Sequence, residues 1–328
     1  MTKIGFGRTI LGALALIVMA AAPNSASAQA DYPNKPIRVV IPFAAGGGND
    51  LFARVVGNKL AELIGQPMVI ENKPGAGGRI AAEYVMNQPA DGYTMFIGAS
   101  GVMSIAAAAY PKLSYHPTKT FIPLSMIASF PLILVVPVSH PAKTVKELVE
   151  WAKAHPDKSN YGSTSPAFTI SSELLKLKSG MPGQMIPYKS SNEMVLSVIQ
   201  EQTLFVISDG PPAIPQIKGG KVRALAVTGS KRSEEIPDVP SMAEAGYPEV
   251  NTQLWSGFFV AVNTPPAIVS KLEAALRKAI TDPDVSSKLK GMAVNPGGTS
   301  SADFRKLIDA DIENYIAVIK AANLKFDN

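Results

Sequence analysis

Apolar and polar positions along the chain fall into two recurring patterns. Short, continuous apolar runs alternate with longer segments in which apolar residues recur at helical spacing. Strands that are covered on both faces read as continuous apolar runs, so we interpret the short runs as buried strands. Alternation of such strands with helices predicts an α/β fold with mostly parallel sheets. The predicted strands are Ile37–Ile41, Met68–Glu71, Thr94–Gly98, Leu132–Val136, Gln184–Pro187, Leu204–Ser208, Arg223–Thr228 and Gly257–Val262.

Several helix starts can be read from capping patterns. Thr144-x-x-Glu147 and Ser190-x-x-Glu193 are capping boxes that precede apolar residues at helical spacing. Thr264 followed by Pro265 predicts another start, because proline suits the first positions of a helix. The last helix is predicted from one apolar side, formed by Phe304, Leu307, Ile308, Ile312, Tyr315, Ile316 and Ile319.

The first predicted strand runs into Pro42–Asp50, which contains three consecutive glycines, and a helix is predicted from Leu51 to Ile64. Glycine lets the backbone approach a ligand closely, and a helix N-terminus offers unpaired N–H groups and a positive dipole end to an anion. The spacing is that of neither a Walker loop nor GxGxxG. Two interpretations remain open: an anion site, or a tight turn in which Asn49 or Asp50 caps the helix.

Polar loops follow most of the predicted strands. In open α/β sheets, ligands bind beyond the carboxyl ends of the strands. Loops rich in Gly, Ser, Thr or Asn at these ends therefore predict a small-ligand site, although the serines of Gly162–Pro166 also suit the cap of the next helix. The loops are Phe43–Asp50, Ala99–Met103, Gly162–Thr169, Tyr188–Asn192 and Ser208–Pro212.

The first 28 residues are organised as a secretory signal peptide. Lys3 and Arg8 precede the apolar run Ile10–Ala22, which is too short for a membrane span, and small residues follow at cleavage spacing. Cleavage after Ala28 leaves 328 minus 28, or 300, residues, and cleavage after Ala30 fits almost as well. A chain of this length predicts an exported protein with two lobes.

Composition excludes several classes of protein. The chain has no cysteine, so disulfides, thiol nucleophiles and thiolate metal sites are absent, and a large core drawn from its 46% hydrophobic residues must hold the fold. The formal charge of +5 falls to +3 when Lys3 and Arg8 leave with the signal peptide. This mildly basic surface lacks the Lys/Arg clusters of a nucleic-acid site and is compatible with anionic small ligands.

Catalytic motifs are missing from the sequence. The histidines His116, His140 and His155 each precede a proline, which is typical of turns and helix ends. There is no HExxH or GxSxG motif and no obvious pair of acids. We therefore expect no catalytic residue, no metal site and no cofactor, and we expect that the protein is not an enzyme.

A series of short motifs occurs in a fixed order along the mature chain: Tyr32–Ile37, Pro42–Asp50, Glu71–Gly78, Asp91–Thr94, Asn160–Ser163, Pro187–Lys189, Lys221–Thr228, Pro237–Pro240, Glu244–Gly246 and Thr264–Pro266. Each is short, but their order and spacing are specific. With these motifs the chain resembles the Bordetella-uptake-gene (Bug) family, the substrate-binding proteins of tripartite tricarboxylate transporters.

The resemblance implies a periplasmic, monomeric protein with a two-lobed, type II-like periplasmic-binding-protein fold that closes like a flytrap. The first lobe would comprise residues 31–130 and 254–328, and the second residues 131–253. The hinge would lie near 129–132 and 252–256. The implied function is capture of a small organic carboxylate and delivery to the membrane permease of a tripartite tricarboxylate-type transporter. Docking on a receptor or sensor kinase is the alternative, and an exported hydrolase is disfavoured.

The resemblance also implies the ligand pocket, in which backbone N–H groups and hydroxyls bind a carboxylate without a buried arginine. As a direct contact, Asp50 would suit a hydroxyl or ammonium group. The implied residues are Phe43, Ala45, Gly46, Gly47, Asn49, Asp50, Ser100 and Gly101 in the first lobe, and Ser163, Thr164, Ser165, Thr169, Tyr188, Ser208 and Asp209 in the second.

Two departures from the family pattern bear on the ligand. The loop after Tyr161 is shorter by about two residues, which brings Phe168 to the pocket as an apolar wall or, alternatively, into the core of the lobe. Ser208 stands where the family usually has aspartate, so repulsion of a second carboxylate is reduced. We therefore expect a dicarboxylic acid, or a carboxylate on an aromatic ring, rather than an amino acid.

Overall fold

The computed structural model describes residues 32–321 and 324–326, which form two β-sheets covered by helices. Sheet A has the strand order β11-β4-β10-β3-β1-β2, and sheet B has the order β7-β6-β8-β5-β9. The predicted α/β class is therefore confirmed. The strands are β1 Ile37–Ile41, β2 Met68–Asn72, β3 Thr94–Ala99, β4 Phe121–Pro131, β5 Ile133–Pro137, β6 Tyr161–Ser163, β7 Met185–Pro187, β8 Phe205–Ser208, β9 Val222–Val227, β10 Gln253–Ala261 and β11 Asn295–Pro296.

Both sheets are mixed, although most strands of each sheet run in one direction, as predicted. In sheet A, β10 and β11 run against the other strands, and in sheet B β5 runs against its two neighbours. The reason is the path of the chain. Strand β4 ends at Pro131 and β5 begins at Ile133, so β5 enters sheet B at the edge where the parallel strands of that sheet end. Strand β10 enters sheet A in the same way.

Three strands were missed by the sequence patterns. Strand β4 is the longest, but Pro123 and two serines interrupt its apolar run, and proline argues against an interior strand position. Strand β11 pairs with β4 only near Ser129, so Pro123 has no strand beside it on that side. On the other side, the register between β4 and β10 is irregular next to Pro123. Strands β6 and β11 have three and two residues, which is too short for any periodicity to be recognised.

Two helices begin where the capping boxes predict. The Thr144 and Ser190 hydroxyls accept the N–H groups of Glu147 and Glu193, at 3.2 Å each, so both capping boxes are confirmed. The helices are α1 Gly48–Ile64, α2 Arg79–Met86, α3 Ser104–Ala109, α4 Val145–Ala154, α5 Pro166–Ser179, α6 Ser191–Ile199, α7 Gly210–Lys218, α8 Pro266–Ile280, α9 Pro283–Lys290 and α10 Ser301–Ala321.

Sheet A is apolar on both faces because neighbouring residues of its strands enter different clusters. Val39 packs in the larger hydrophobic cluster, with α1 and α8, whereas Val40 packs in a second cluster with α2 and α10. In the second cluster, the Phe304 ring lies 5.0 Å from that of Trp255 and 5.3 Å from that of Phe259, measured between centroids. Full burial of each such ring contributes about 2 kcal/mol, so this cluster fixes α10 on the sheet.

The chain passes between the sheets twice, and the two crossings lie side by side. Strands β4 and β10 stay paired up to Pro131 opposite Gln253. The Thr228 hydroxyl then accepts the N–H of Leu132 at 2.7 Å and donates to the carbonyl of Thr252 at 2.6 Å, which ties both crossings to the end of β9.

The predicted signal peptide, residues 1–28, lies outside the described residues. Among the helices of the described part, none is long and apolar enough to cross a membrane.

Candidate functional site

Helix α1 begins earlier than predicted, and its glycines are part of it. Gly47 is the N-cap without any side-chain cap, and Gly48 is the first helical residue. The proposed capping role of Asn49 or Asp50 is therefore wrong, since both side chains lie within the first turn. The Asn49 side-chain oxygen instead accepts the hydroxyl of Ser256 on β10 at 2.8 Å.

Asp50 organises the glycine loop from inside the helix. Its carboxylate accepts the N–H of Gly46 at 3.1 Å, two hydrogen bonds from Arg54 at 2.9 and 3.0 Å, and one from Asn72 at 3.1 Å. Burial raises the pKa of this carboxyl, but the donors outweigh burial, so the pKa lies below its ordinary value. A carboxylate with this many donors is occupied by the protein itself and is not free for a ligand ammonium group.

The glycine loop lies directly against the loops of sheet B. The N–H of Gly48 donates to Asp209 Oδ2 at 3.1 Å, and the N–H of Ala44 donates to the carbonyl of Lys189 at 3.3 Å. A side chain on Gly47 would place its Cβ 3.2 Å from the Ser191 hydroxyl. The structure therefore brings together the predicted loops after β1, β7 and β8, in direct contact with one another.

Asp209 is only 2% exposed in this contact. Burial raises the pKa of its carboxyl above the ordinary value, because it outweighs the opposite effect of the Ser191 and Ser208 hydroxyls and the N–H of Gly48. Ser208 donates to Asp209 Oδ1 at 3.3 Å. Asp209 therefore keeps an acid at this edge, one position after Ser208. The reduced repulsion of a second ligand carboxylate, inferred from Ser208, is not supported.

The loops after β3 and β6 form a second direct contact between the two sheets. A Cβ on Gly101 would lie 2.8 Å from the Ser165 hydroxyl, so glycine permits this approach. Ser100 is 1% exposed, and its hydroxyl accepts the N–H of Trp255 at 3.2 Å. Ser100 thus joins β3 to β10, and its hydroxyl oxygen is engaged within the fold.

A cavity of about 610 Å³ opens beside these contacts. On the sheet B side, it is lined by predicted hydroxyl residues from the β6–α5 segment. The Ser163 hydroxyl is 2.8 Å from that of Thr169 and donates to the carbonyl of Ser165 at 3.0 Å. The remaining lining is Gly77, Tyr110, Tyr161, Thr164, Pro166, Glu173, Met185, Pro187, Leu324, Lys325 and Phe326.

Of the predicted site residues, only Ser163, Thr164, Ser165 and Thr169 line this cavity, and the others lie outside its lining. Ala45 is exposed at the tip of the glycine loop, and Phe43 is buried in the second hydrophobic cluster. Phe168 is 7% exposed and packs in the larger hydrophobic cluster, so it lies in the core rather than forming a wall of the pocket. Tyr188 is half-buried, with its ring over Gly162, where an added Cβ would lie 3.0 Å from the ring.

Several residues that shape the site were not predicted. Arg54 could have been found from its i+4 spacing to Asp50, which is typical of a helical ion pair. Gly77, in the quoted motif Glu71–Gly78, reaches the cavity through a φ of +63°, a backbone conformation that favours glycine. The contact of Ser191 with the glycine loop depends on how the sheets face each other, which no local pattern indicates.

Other cavities lie away from the predicted residues. One of about 610 Å³ lies beside the crossings, and its lining includes Thr228, Arg232, Thr252 and Lys290. Another of about 490 Å³, at the far end of sheet B, is lined in part by His140 and Trp151. Within residues 32–321 and 324–326, no group of three or more His, Cys, Asp or Glu side chains is arranged to hold a metal ion.

Comparison with solved structures supports the fold class. R. palustris Rpa4515 with adipate is 33% identical, with a TM-score of 0.86, and the match covers 90% of this chain and 99% of that one. MatC from Rhodopseudomonas palustris with bound malate is 30% identical, with a TM-score of 0.84 and coverage of 88% and 100%. The periplasmic binding protein BugD is 28% identical, with a TM-score of 0.86 and coverage of 90% and 99%.

The sequence also matches a family model across most of its length. The model is described as the tripartite tricarboxylate transporter family receptor, TctC, and it matches residues 52–324. Together with the likeness to BugD, this match confirms the resemblance drawn from the short motifs. The chain belongs to the TctC family of tripartite tricarboxylate transporter receptors, which includes the Bug proteins.

Proposed function

We propose that this protein is exported to the periplasm, where it binds a small dicarboxylate between two lobes and presents it to a tripartite tricarboxylate-type permease. The observation that carries the proposal is the facing of polar loops across the two sheets. Gly48 meets Asp209, and Gly101 meets Ser165, at the carboxyl ends of strands. This is where open α/β folds bind ligands.

The ligand class is supported by two observations. Two structural neighbours contain the dicarboxylates adipate and malate. The side chain of Phe168, which would favour an aromatic acid as a pocket wall, lies in the core instead. The hydroxyl of Thr164 offers a donor to a carboxylate in a cavity of about 610 Å³, and the hydroxyls of Ser163 and Thr169 offer theirs on rotating away from the carbonyl of Ser165. A linear aliphatic dicarboxylate therefore fits the proposal better than an aromatic or amino acid.

The two lobes of the proposal follow the two sheets. Residues 31–130 and 254–328 would form the first lobe and residues 131–253 the second. The hinge would consist of the paired crossings near 129–132 and 252–256, because these are the segments that join the sheets through Thr228. Closure about this hinge is the change that a permease would recognise.

The role as a receptor rather than an enzyme rests on family membership and on the lack of a nucleophile–base pair in the sequence. The predicted signal peptide supports export. Delivery to a permease and docking on a sensor kinase use the same closed surface, and the family description favours the permease.

Isothermal titration of the mature protein tests the ligand class, with adipate, malate, terephthalate and aspartate as the panel. We expect binding of an aliphatic dicarboxylate. Loss of one hydroxyl donor in Ser163→Ala should weaken it about five- to tenfold, the value of a single hydrogen bond. Ser171→Ala is the matched control, because this buried serine of α5 bonds only the carbonyl of Ala167. Failure of all four acids to bind, or equal losses in both variants, would contradict the proposal.

A further inference from the structure

The N-terminus of α1 is the anion site expected from the sequence, but a side chain of the other sheet already occupies it. Asp209 Oδ2 lies 3.1 Å from the N–H of Gly48, the first residue of the helix. The two residues are 161 positions apart in the chain and belong to the loops after β1 and β8. The only links between these loops along the chain are the two crossings, so the contact depends on how the sheets are oriented.

We propose that Asp209 is an internal latch, whose carboxyl group takes the place of a ligand anion at the N-terminus of α1 and holds the lobes closed in the absence of ligand. This inference rests on the proposed two-lobed closure. It goes beyond that closure by assigning the closing contact to one side chain of the protein itself. The ligand carboxylate then binds at other donors, such as the hydroxyls of the β6–α5 segment.

Gly48 is required for the latch. A Cβ at this position would lie 2.0 Å from Asp209 Oδ2 and 3.1 Å from its carboxyl carbon. No side chain can be added without displacing the carboxyl group. Glycine at position 48 is therefore explained by the approach of Asp209, since its own backbone is ordinary helix. Gly48→Ala should therefore break the contact with Asp209 from the first lobe, whereas a change at Asp209 breaks it from the second.

Asp209 is built into its own loop by short-range partners. Ser208 donates to Oδ1, and Ser191 at the start of α6 is a second hydroxyl partner. The residue is the N-cap of α7, but its side chain makes no cap hydrogen bond there. A buried N-cap carboxyl that bonds a different helix indicates a role between the lobes rather than within α7.

Distance measurement between spin labels tests the latch in the ligand-free protein. The chain contains no cysteine, so Lys146→Cys on α4 and Lys306→Cys on α10 give specific labelling, and both side chains are 81% exposed. The wild type should show a dominant short distance. Asp209→Ala and Gly48→Ala should each lower the ratio of short to long distances about five- to tenfold, the value of a single hydrogen bond.

The double variant and two controls make the result decisive. Asp209→Ala combined with Gly48→Ala should have no larger effect than either change alone, because both remove one contact. Asp209→Asn keeps an acceptor and should stay within about threefold of the wild type. Asp284→Ala removes an exposed acid whose ion pair, with Lys288, lies within α9, and it should leave the distances unchanged. Unchanged distances in Asp209→Ala, or additive effects in the double variant, would overturn the latch.

Ligand affinity separates the latch from a direct ligand contact. A latch changes only the closed fraction, so its loss weakens every ligand by the same factor. Selective loss for one dicarboxylate in Asp209→Ala would instead assign Asp209 to the ligand and overturn the proposal. If no carboxylate binds the wild type, the proposed function fails, while the distance measurement still decides the latch.

Discussion

Replacement of Asp50 by alanine gives the sharpest measure of what holds the glycine loop. The side chain is 3% exposed and accepts four hydrogen bonds from three groups. Arg54 is 48% exposed, so water replaces its lost partner and the pair contributes about 0–1 kcal/mol. The N–H of Gly46 and the amide of Asn72 are less accessible, and each bond is worth about 1–1.5 kcal/mol.

Together these contributions predict a loss of about 2–4 kcal/mol in the free energy of unfolding. For a chain of this size, such a loss lowers the melting temperature by roughly 3–7 °C. Circular dichroism during heating and urea denaturation measure both quantities. Because the pKa of Asp50 is lower in the folded state, the stabilisation should be present above the ordinary value of 3.8 and be lost as pH falls through the folded-state pKa.

The matched control is Asp284→Ala in α9. Asp284 pairs with Lys288 at the same i,i+4 spacing, at 2.7 Å, but the two side chains are 71% and 57% exposed. Its removal should cost about 0.5 kcal/mol or less. If Asp50→Ala and Asp284→Ala lowered stability equally, burial of the Asp50 network would not be the source of its energy.

Two further predictions concern the helix caps and the histidines. Thr144→Ala should lower the free energy of unfolding in urea by about 1 kcal/mol and leave ligand affinity unchanged. Ser190→Ala, beside the glycine loop, should lower both the free energy of unfolding and the ligand affinity. Equal ligand affinities in the two variants would show that the glycine loop tolerates loss of this cap. Burial lowers the pKa of His140 and of His116, and the nearby Arg223 and Lys119 add to the effect at His140 and His116 respectively. The unfolded chain therefore binds more protons than the folded protein, so the free energy of unfolding should fall as pH drops below about 6.5. His140→Asn keeps an acceptor for the N–H of Ala142 and should flatten this dependence between pH 7.5 and 5.5; an unchanged slope would refute its cause.

The sequence by itself determined the elements whose causes are local. The apolar run Ile37–Ile41 is β1 at the predicted bounds, because both faces of that strand are buried. The capping boxes at Thr144 and Ser190 place helix starts, because their hydrogen bonds span three residues. The ordered motifs identified the family. Each of these features depends on residues that are neighbours in the chain.

Only the tertiary structure decided the features that depend on how the sheets meet. Strand β4 accommodates Pro123 because its register with β10 is irregular there and its β11 side is open. Phe168 lies in the core, although the loop pattern also allowed a pocket wall. The N-terminus of α1 bonds Asp209 rather than standing open for a ligand. A contact across 161 residues is set by the crossings and by how the two sheets pack, and no local pattern encodes it.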